Sequence, residues 1–222
     1  MRLASAWGIL LLSLTLTALP GTAFPQAGRT PQTRAEALAA LRHADATTRA
    51  EAVAWIANHG DAGDAPLLHE RLRDESPFVR SFAEQGLWLL WTRSGDPGID
   101  ALMARGTEQM QAGEYAKAIE TFTAVIKGKP EFAEGWNRRA TVYFLAGLFA
   151  ESIADCGEVL RRNPLHFGAL SGMGEIHVQL EQYEEALRWY RRALEVNPNM
   201  PRVELNIKSI EEMLREKRGR ST

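Results

Sequence analysis

The chain has 222 residues, of which 24% are charged and 45% hydrophobic, and its formal net charge is −2. This nearly balanced charge excludes the basic footprint of a nucleic-acid-binding protein. The single cysteine, Cys156, excludes a framework of internal disulfides, and its place on the packing face of a helix predicts a buried, inert thiol. Helix-forming residues dominate without any alternating β-branched pattern, so we expect an all-α fold.

The first residues have the parts of a secretory signal peptide, which we assign to residues 1–23. Arg2 supplies the positive start, residues 7–19 are apolar, and small residues precede a cut near Ala23. The sequence therefore predicts a bacterial protein that is periplasmic or secreted. Because a membrane span takes about 20 apolar residues, an uncleaved anchor that holds the protein at the membrane is the alternative. Residues 24–32, rich in Pro, Gly and Thr, are predicted to be a disordered leader.

Residues 33–95 are predicted to be helical and carry a weak internal repeat. Arg49 and Arg80 are 31 residues apart (80 − 49 = 31), and apolar positions around them match at the same spacing. In residues 72–80 an acidic turn precedes a Val-Arg helix start, and this stretch resembles the short HEAT repeats of the phycobilisome-lyase type. The resemblance implies HEAT-like helical repeats. The predicted helices cover residues 33–43, 48–59, 64–73 and 77–91.

A cluster of His59, Asp61 and Asp64 follows the second predicted helix. Its spacing fits neither an EF-hand loop nor a His-x-x-x-His zinc pair. Gly and Asp in this stretch are also what an inter-helix turn with an Asp N-cap requires, so we expect a turn and no metal. The chain lacks P-loop, dinucleotide-binding and Gly-x-Ser-x-Gly fingerprints. We therefore expect no cofactor and no enzymatic activity.

Trp88 and Trp91 bound the densest apolar patch of the sequence, Trp-Leu-Leu-Trp. We expect this patch to pack against the first helix of the repeats that follow the turn-rich residues 93–98. The alternative is an exposed aromatic anchor, since aromatic residues are enriched in interfaces as well as in cores. Such an anchor would make the protein a self-associating structural or envelope-assembly subunit.

Proline residues then recur at a fixed interval. Pro130, Pro164 and Pro198 are 34 residues apart (164 − 130 = 34 and 198 − 164 = 34), and such a period marks a repeat array. Within residues 133–166, apolar residues at helical spacing predict two helices. Gly147 ends the first, because Gly readily adopts the left-handed conformation of a helix stop, and the second ends before Pro164.

Small residues recur with the same period at Gly106, Ala140 and Gly174, where they would let two helices approach closely. In each unit a large residue precedes the small one, and Tyr, Ala, aromatic and Pro positions follow it. Through this pattern residues 99–200 resemble the tetratricopeptide repeat (TPR) family. The resemblance implies three helix hairpins, at residues 99–132, 133–166 and 167–200. Residues 201–218 are predicted to form a capping helix with a polar outer face, and residues 219–222 a solvated tail.

We therefore expect a right-handed α-solenoid of HEAT-like helices, three TPR hairpins and a capping helix. In TPR arrays the first helix of each hairpin lines a concave groove. We expect Asn137 and Arg138 to act there as hydrogen-bonding hooks, and Met103, Met110 and Phe144 to form an apolar floor. The predicted groove residues are Met103, Thr107, Met110, Asn137, Arg138, Thr141, Phe144, Ser171 and Glu175.

This mixed set suits an extended peptide or a partner helix, although the same residues could simply be exposed helix positions. In TPR chaperone adaptors, basic and Asn side chains on this face clamp a C-terminal carboxylate. The corresponding positions here hold Met103, Thr107, Arg138, Gly168 and Gly172, of which only Arg138 is basic. We expect a scaffold or adaptor that binds another protein or peptide without that clamp, and that binds neither nucleic acid nor a small-molecule substrate.

Overall fold

The computed structural model describes residues 30–219, with side chains up to residue 217. That range contains eleven α-helices, a one-turn 3-10 helix and no strand, which confirms the all-α prediction. None of these helices is both long and apolar enough to cross a membrane. The predicted signal peptide at residues 1–23, the leader up to residue 29 and the tail from residue 220 lie outside the described residues.

Four helices form an N-terminal block, which we define as residues 31–94. Their boundaries are α1 (Arg34–Ala40), α2 (Ala46–His59), α3 (Ala65–Arg71) and α4 (Pro77–Thr92). The block has its own core, in which Ile56, Leu68 and Leu87 are fully buried. Helix α4 begins at a proline, as expected, because the fixed φ of proline suits the first helical position and its missing N–H has no partner there.

Arg49 and Arg80, which match in the predicted repeat, make the same kind of contact in their own turns. Nη1 of Arg49 donates to the two carbonyls six and five residues earlier, both at 2.8 Å. Nη1 of Arg80 donates to the carbonyls six and five residues earlier, at 2.9 and 3.1 Å. Both guanidinium groups therefore satisfy the carbonyls of the turn that precedes their helix. Arg49 also binds Asp74 through two hydrogen bonds of 2.9 and 2.7 Å, which ties α2 to the turn before α4.

Three helix hairpins and a last helix follow the N-terminal block. They are α5 (Pro97–Gln111) with α6 (Tyr115–Gly128), α7 (Ala133–Leu145) with α8 (Phe149–Arg162), α9 (Phe167–Gln179) with α10 (Tyr183–Val196), and α11 (Pro201–Gly219). Small residues sit where the helices of a hairpin cross. A Cβ on Gly106 would lie 2.7 Å from the Phe122 ring, and one on Gly174 would lie 2.5 Å from the Tyr190 ring. A larger residue at either position would separate the two helices.

The turn inside each hairpin uses one left-handed residue. Gly113 and Gly147 have φ of 75°, which confirms the predicted helix stop at Gly147. The same position in the third hairpin is Glu181, with φ of 57°. Residues with a Cβ rarely adopt this conformation, so the third turn carries a local cost that the first two avoid.

The N-terminal block lies along the edge of the array where the proline junctions between hairpins are found. At the first junction, Nζ of Lys129 donates to the carbonyl of Ser94. At the third, Nδ2 of Asn199 donates to the carbonyl of Leu72 at 2.7 Å. The junction between them meets the Trp-Leu-Leu-Trp patch. The proline period therefore places a row of contacts on which the N-terminal block rests.

Trp88 and Trp91 contact the second junction and the start of α9. Trp91 stacks on His166 with ring centroids 4.4 Å apart, and Trp88 meets Phe167 edge-on at 5.3 Å. The prediction that these tryptophans pack against the first helix of the array is therefore wrong. Because the block lies along the row of junctions, α4 reaches the third hairpin. Leu90 and Trp91 are 1% and 7% exposed, so the chain itself covers this part of the patch predicted for self-association, while Leu89 stays 39% exposed.

Candidate functional site

Helices α7 and α9 border a cavity of about 200 Å³. The buried Ser152 and Cys156 of α8 line it together with Ala140. Five of the nine predicted groove residues are brought together in this cavity: Asn137, Thr141, Phe144, Ser171 and Glu175. Their role in binding a partner stays a prediction.

A second cavity, of about 410 Å³, continues from the first toward α11. The two cavities share Phe144 and Glu175. Val178 and Tyr190 line the second cavity on the array side, and Arg202 lines it from α11. We call the two cavities together the groove. Sequence reasoning did not find the contribution of α11, because the period of the repeats ends before this helix begins.

The predicted groove residues of α5 lie elsewhere. Met103 is 7% exposed and packs in the core between α5 and α6, and Met110 packs against the same core. Thr107 uses its hydroxyl to donate to the carbonyl of Met103. The assignment of Met103 and Met110 to the groove floor is therefore wrong. Met103 lies on the same helical stripe as the buried Ile99 and Gly106, and that stripe faces α6.

Arg138 is held by a buried carboxylate and lines neither cavity. Its Nε lies 2.7 Å from Oε1 of Glu134, whose side chain is fully buried. Oε2 of Glu134 accepts from Nδ2 of Asn137 at 3.1 Å and lies 3.2 Å from Nε2 of His166. Since Nδ1 of His166 accepts from the backbone N–H of Ala169, Nε2 carries the proton and donates to Glu134. The guanidinium of Arg138 therefore balances a buried charge and lies outside the two cavities, and its role as a hydrogen-bonding hook stays a prediction.

Cys156 lies under the groove and is 3% exposed, which confirms the predicted packed thiol. Burial, together with the neighbouring charge of Asp155, raises the pKa of the Cys156 thiol to about 12. A thiol with this pKa holds very little thiolate at neutral pH, and the thiolate is the reactive species. Cys156 therefore does not provide a nucleophile.

The predicted turn after α2 is confirmed in its details. Asp61 caps the one-turn 3-10 helix Ala62–Asp64, and Oδ1 of Asp61 accepts from the N–H of Gly63 at 2.8 Å. Asp64 binds Arg34, whose Nη1 donates to Oδ2 at 2.8 Å. The ring of His59 stacks on Trp55 in the preceding turn of α2. Across residues 30–219, no three His, Cys, Asp or Glu side chains are grouped to hold a metal ion.

A further cavity, of about 290 Å³, lies between the N-terminal block and the second hairpin. Trp91 and His69 line it from the block, and Phe132 and Glu134 line it from the array. Burial lowers the pKa of His69 to about 4, and the charge of Arg73 acts in the same direction. Sequence reasoning missed this cavity because it forms only when the block docks on the array.

Comparison with known proteins identifies the repeats. Models of the tetratricopeptide repeat match residues 103–158 and 168–200. A TPR repeat-containing protein of Rhizobium etli is 33% identical over 132 residues, which are 60% of this chain and 65% of that protein. Hsp70-Hsp90 organizing protein 1 of Glycine max is 27% identical over 105 residues, which are 47% of this chain and 18% of that protein. The chain therefore spans less than two thirds of the length of either relative.

A solved structure extends the comparison to the fold. The first TPR of Spaghetti, bound to the HSP90 peptide SRMEEVD, superposes with a TM-score of 0.50 and 28% identity. The match covers 52% of this chain and 92% of that chain. Together with the eleven helices described above, this likeness confirms an α-solenoid built of helical hairpins.

Proposed function

We propose, from the tetratricopeptide repeats at residues 103–158 and 168–200, that this protein is an adaptor that binds a segment of a partner protein in its groove. The observation that carries the proposal is the groove between α7, α9 and α11, in which polar and apolar side chains converge. Repeat arrays commonly present such a concave surface to a partner. The first TPR of Spaghetti, which shares this fold, binds a peptide of HSP90.

The proposed mechanism is binding alone. Asn137 and Ser171 offer hydrogen-bonding groups to the backbone of a segment, while Phe144 and Val178 offer apolar contact. Alternating polar and apolar contacts of this kind suit a peptide that lies along a groove. The nucleophile nearest the groove, Cys156, is protonated and buried. The groove therefore supports recognition rather than catalysis.

Self-association through the Trp-Leu-Leu-Trp patch is the less favoured role. Trp88 and Trp91 already pack on His166 and Phe167 of the same chain. A second chain would have to displace these contacts to reach the patch. The groove has no such occupant among the described residues, so it is the better candidate for a partner.

Two glycines give a matched test of the groove. A Cβ on Gly172 of α9 would meet no atom within 4 Å, and Gly172 lines the groove. Gly157 of α8 is equally unobstructed but exposed away from the groove. Gly172→Leu therefore fills the groove without disturbing the core, and Gly157→Leu is its control. Both replacements remove a glycine from the interior of a helix. Because glycine disfavours helix, each replacement should stabilise its helix by up to about 1 kcal/mol.

The readout is photo-crosslinking from a reactive amino acid placed at Thr141, an exposed position of the groove. Partners crosslinked in the native cell and identified by mass spectrometry should be lost with Gly172→Leu and kept with Gly157→Leu. Circular dichroism and thermal unfolding should show that both variants stay folded. Retention of the same partners by Gly172→Leu would show that they bind elsewhere and would overturn the proposal.

We also propose that the protein is exported and that its N-terminal block is a HEAT-like unit. The positive start and apolar stretch of residues 1–23 support export, and the shared contact of Arg49 and Arg80 supports the repeat. Cell fractionation and the mass of the mature protein test export. A protein that is found in the cytoplasm with residues 1–23 intact would contradict the proposal of export.

A further inference from the structure

We infer that the groove selects a partner segment that carries Lys or Arg, with the C-terminal carboxylate of the partner outside the groove. The inference rests on the proposed function and specifies its ligand. It follows from the charges that line the groove and from the way the nearby arginine is held.

The centre of the groove presents an acidic and an aromatic side chain. Glu175 and Phe144 line both cavities, so a side chain that enters where the cavities meet faces both residues. A cation gains from a carboxylate through charge and from an aromatic face through its quadrupole. The aliphatic stem of Lys or Arg can at the same time cover apolar surface such as Val178.

Glu175 is available for such a cation. Within the described part of the groove, the charged side chains are Glu175 and Arg202. They form a pair with 3.8 Å between Oε1 and Nη2, and their side chains are 36% and 84% exposed. A pair this long and this exposed is weak, because water screens it and a mobile arginine loses entropy on forming it. A ligand cation can therefore replace Arg202.

A carboxylate finds no comparable partner in the groove. Arg138 is committed to Glu134, which is fully buried and would be left short of a cation if the guanidinium moved away. Arg202 lies at the rim with its side chain 84% exposed, so a carboxylate paired with it would gain only a weak contact that water screens. A terminal carboxylate in the first cavity, which no Lys or Arg lines, would lose water without gaining a charge-paired hydrogen bond, and Glu175 would repel it. An acidic C-terminal tail is therefore disfavoured.

The test is a selection from two libraries of random peptides against the purified protein. One library displays each peptide between fixed flanks, and the other displays it with a free C-terminus. We expect the flanked library to yield binders enriched in Lys or Arg that do not bind Gly172→Leu. The peptide SRMEEVD is the acidic probe, and we expect it not to compete with them. Binders dominated by acidic residues or found only with free C-termini would overturn the inference but leave the groove intact.

Two variants then separate charge recognition from a general effect on the fold. In fluorescence titrations with a selected basic peptide, Glu175→Gln should weaken binding by about two- to fivefold, the range for a partly exposed ion pair. Arg202→Ala should strengthen it, because the competing cation is removed. Equal affinities for wild type and Glu175→Gln would overturn the inference. Selected peptides that bind Gly172→Leu as well as wild type would instead overturn the proposed function.

Discussion

Trp88 and Gly168 touch so closely that no side chain fits between them: a Cβ on Gly168 would lie 2.4 Å from Cη2 of Trp88. Gly168 is the second residue of α9 and also lines the groove. Trp88 belongs to α4 of the N-terminal block. This contact therefore joins the docking of the block to the helix that forms one wall of the groove.

The first prediction follows from this contact. Gly168→Ala should destabilise the protein by about 1–3 kcal/mol, because the added methyl group must displace a packed indole. Gly172→Ala, one helical turn further along α9, meets open space and should stabilise the helix by up to about 1 kcal/mol. Urea unfolding of both variants measures the difference. Equal effects would show that the indole moves aside without cost.

The second prediction concerns Arg138. Arg138→Ala should lower the free energy of unfolding by about 1–3 kcal/mol, because the buried Glu134 loses its cation. Arg191→Ala is the control, since Arg191 forms an exposed pair with Glu211 that is worth at most about 1 kcal/mol. Chemical unfolding compares the two variants. Peptide binding by folded Arg138→Ala should match wild type, and a loss of binding without a loss of stability would restore Arg138 as a ligand of the partner.

The third prediction concerns the turn of the third hairpin. Glu181→Gly should raise stability by up to about 1 kcal/mol, because glycine adopts the left-handed conformation without the Cβ clash that Glu181 bears. Gly147→Ala, the reverse change at the equivalent position of the second hairpin, should lower stability by about 1 kcal/mol. Thermal unfolding measures both. A fall in the midpoint of Glu181→Gly would mean that the greater freedom of the unfolded chain outweighs the relief.

The hairpins could be predicted from the sequence because their signals are local. Gly147 is needed for a left-handed stop, and Gly106 and Gly174 for close helix crossings, and each requirement acts within one hairpin. The predicted groove residues of α7 and α9, apart from Arg138, line one cavity. The prediction failed for α5, where Met103 lies on the packing stripe that begins at Ile99. That stripe has the same helical period as the groove face, and the sequence alone did not show which face turned inward.

The arrangement of the N-terminal block could not be predicted, since it depends on contacts between distant residues. Trp91 meets His166, and Asn199 meets Leu72, across separations that no local pattern encodes. Ion pairs between helices could not be predicted either, because their partners are also distant in the sequence. Arg139 of α7 binds Asp155 of α8 through hydrogen bonds of 2.7 and 2.8 Å.

The fourth prediction concerns the response to pH and depends on His69. This residue is 9% exposed, and its Nδ1 has no hydrogen-bond partner. Burial, with the charge of Arg73, lowers the pKa of His69 from 6.5 to about 4. Between these two values the unfolded chain binds a proton that the folded chain does not bind. Stability from this residue is therefore complete above pH 6.5 and is lost as pH falls toward 4.

The expected loss is about 1.4 kcal/mol per pH unit within that window, and at most about 3.5 kcal/mol in total. Urea unfolding of wild type and His69→Leu at a series of pH values isolates the effect, because the carboxyl groups titrate in both proteins. His69→Leu should lose less stability than wild type between pH 6.5 and 4. Its stability at pH 7 should be close to wild type, since no hydrogen bond of the ring is removed. Parallel pH profiles for the two proteins would show that the folded state accepts the proton on His69 as readily as the unfolded chain does.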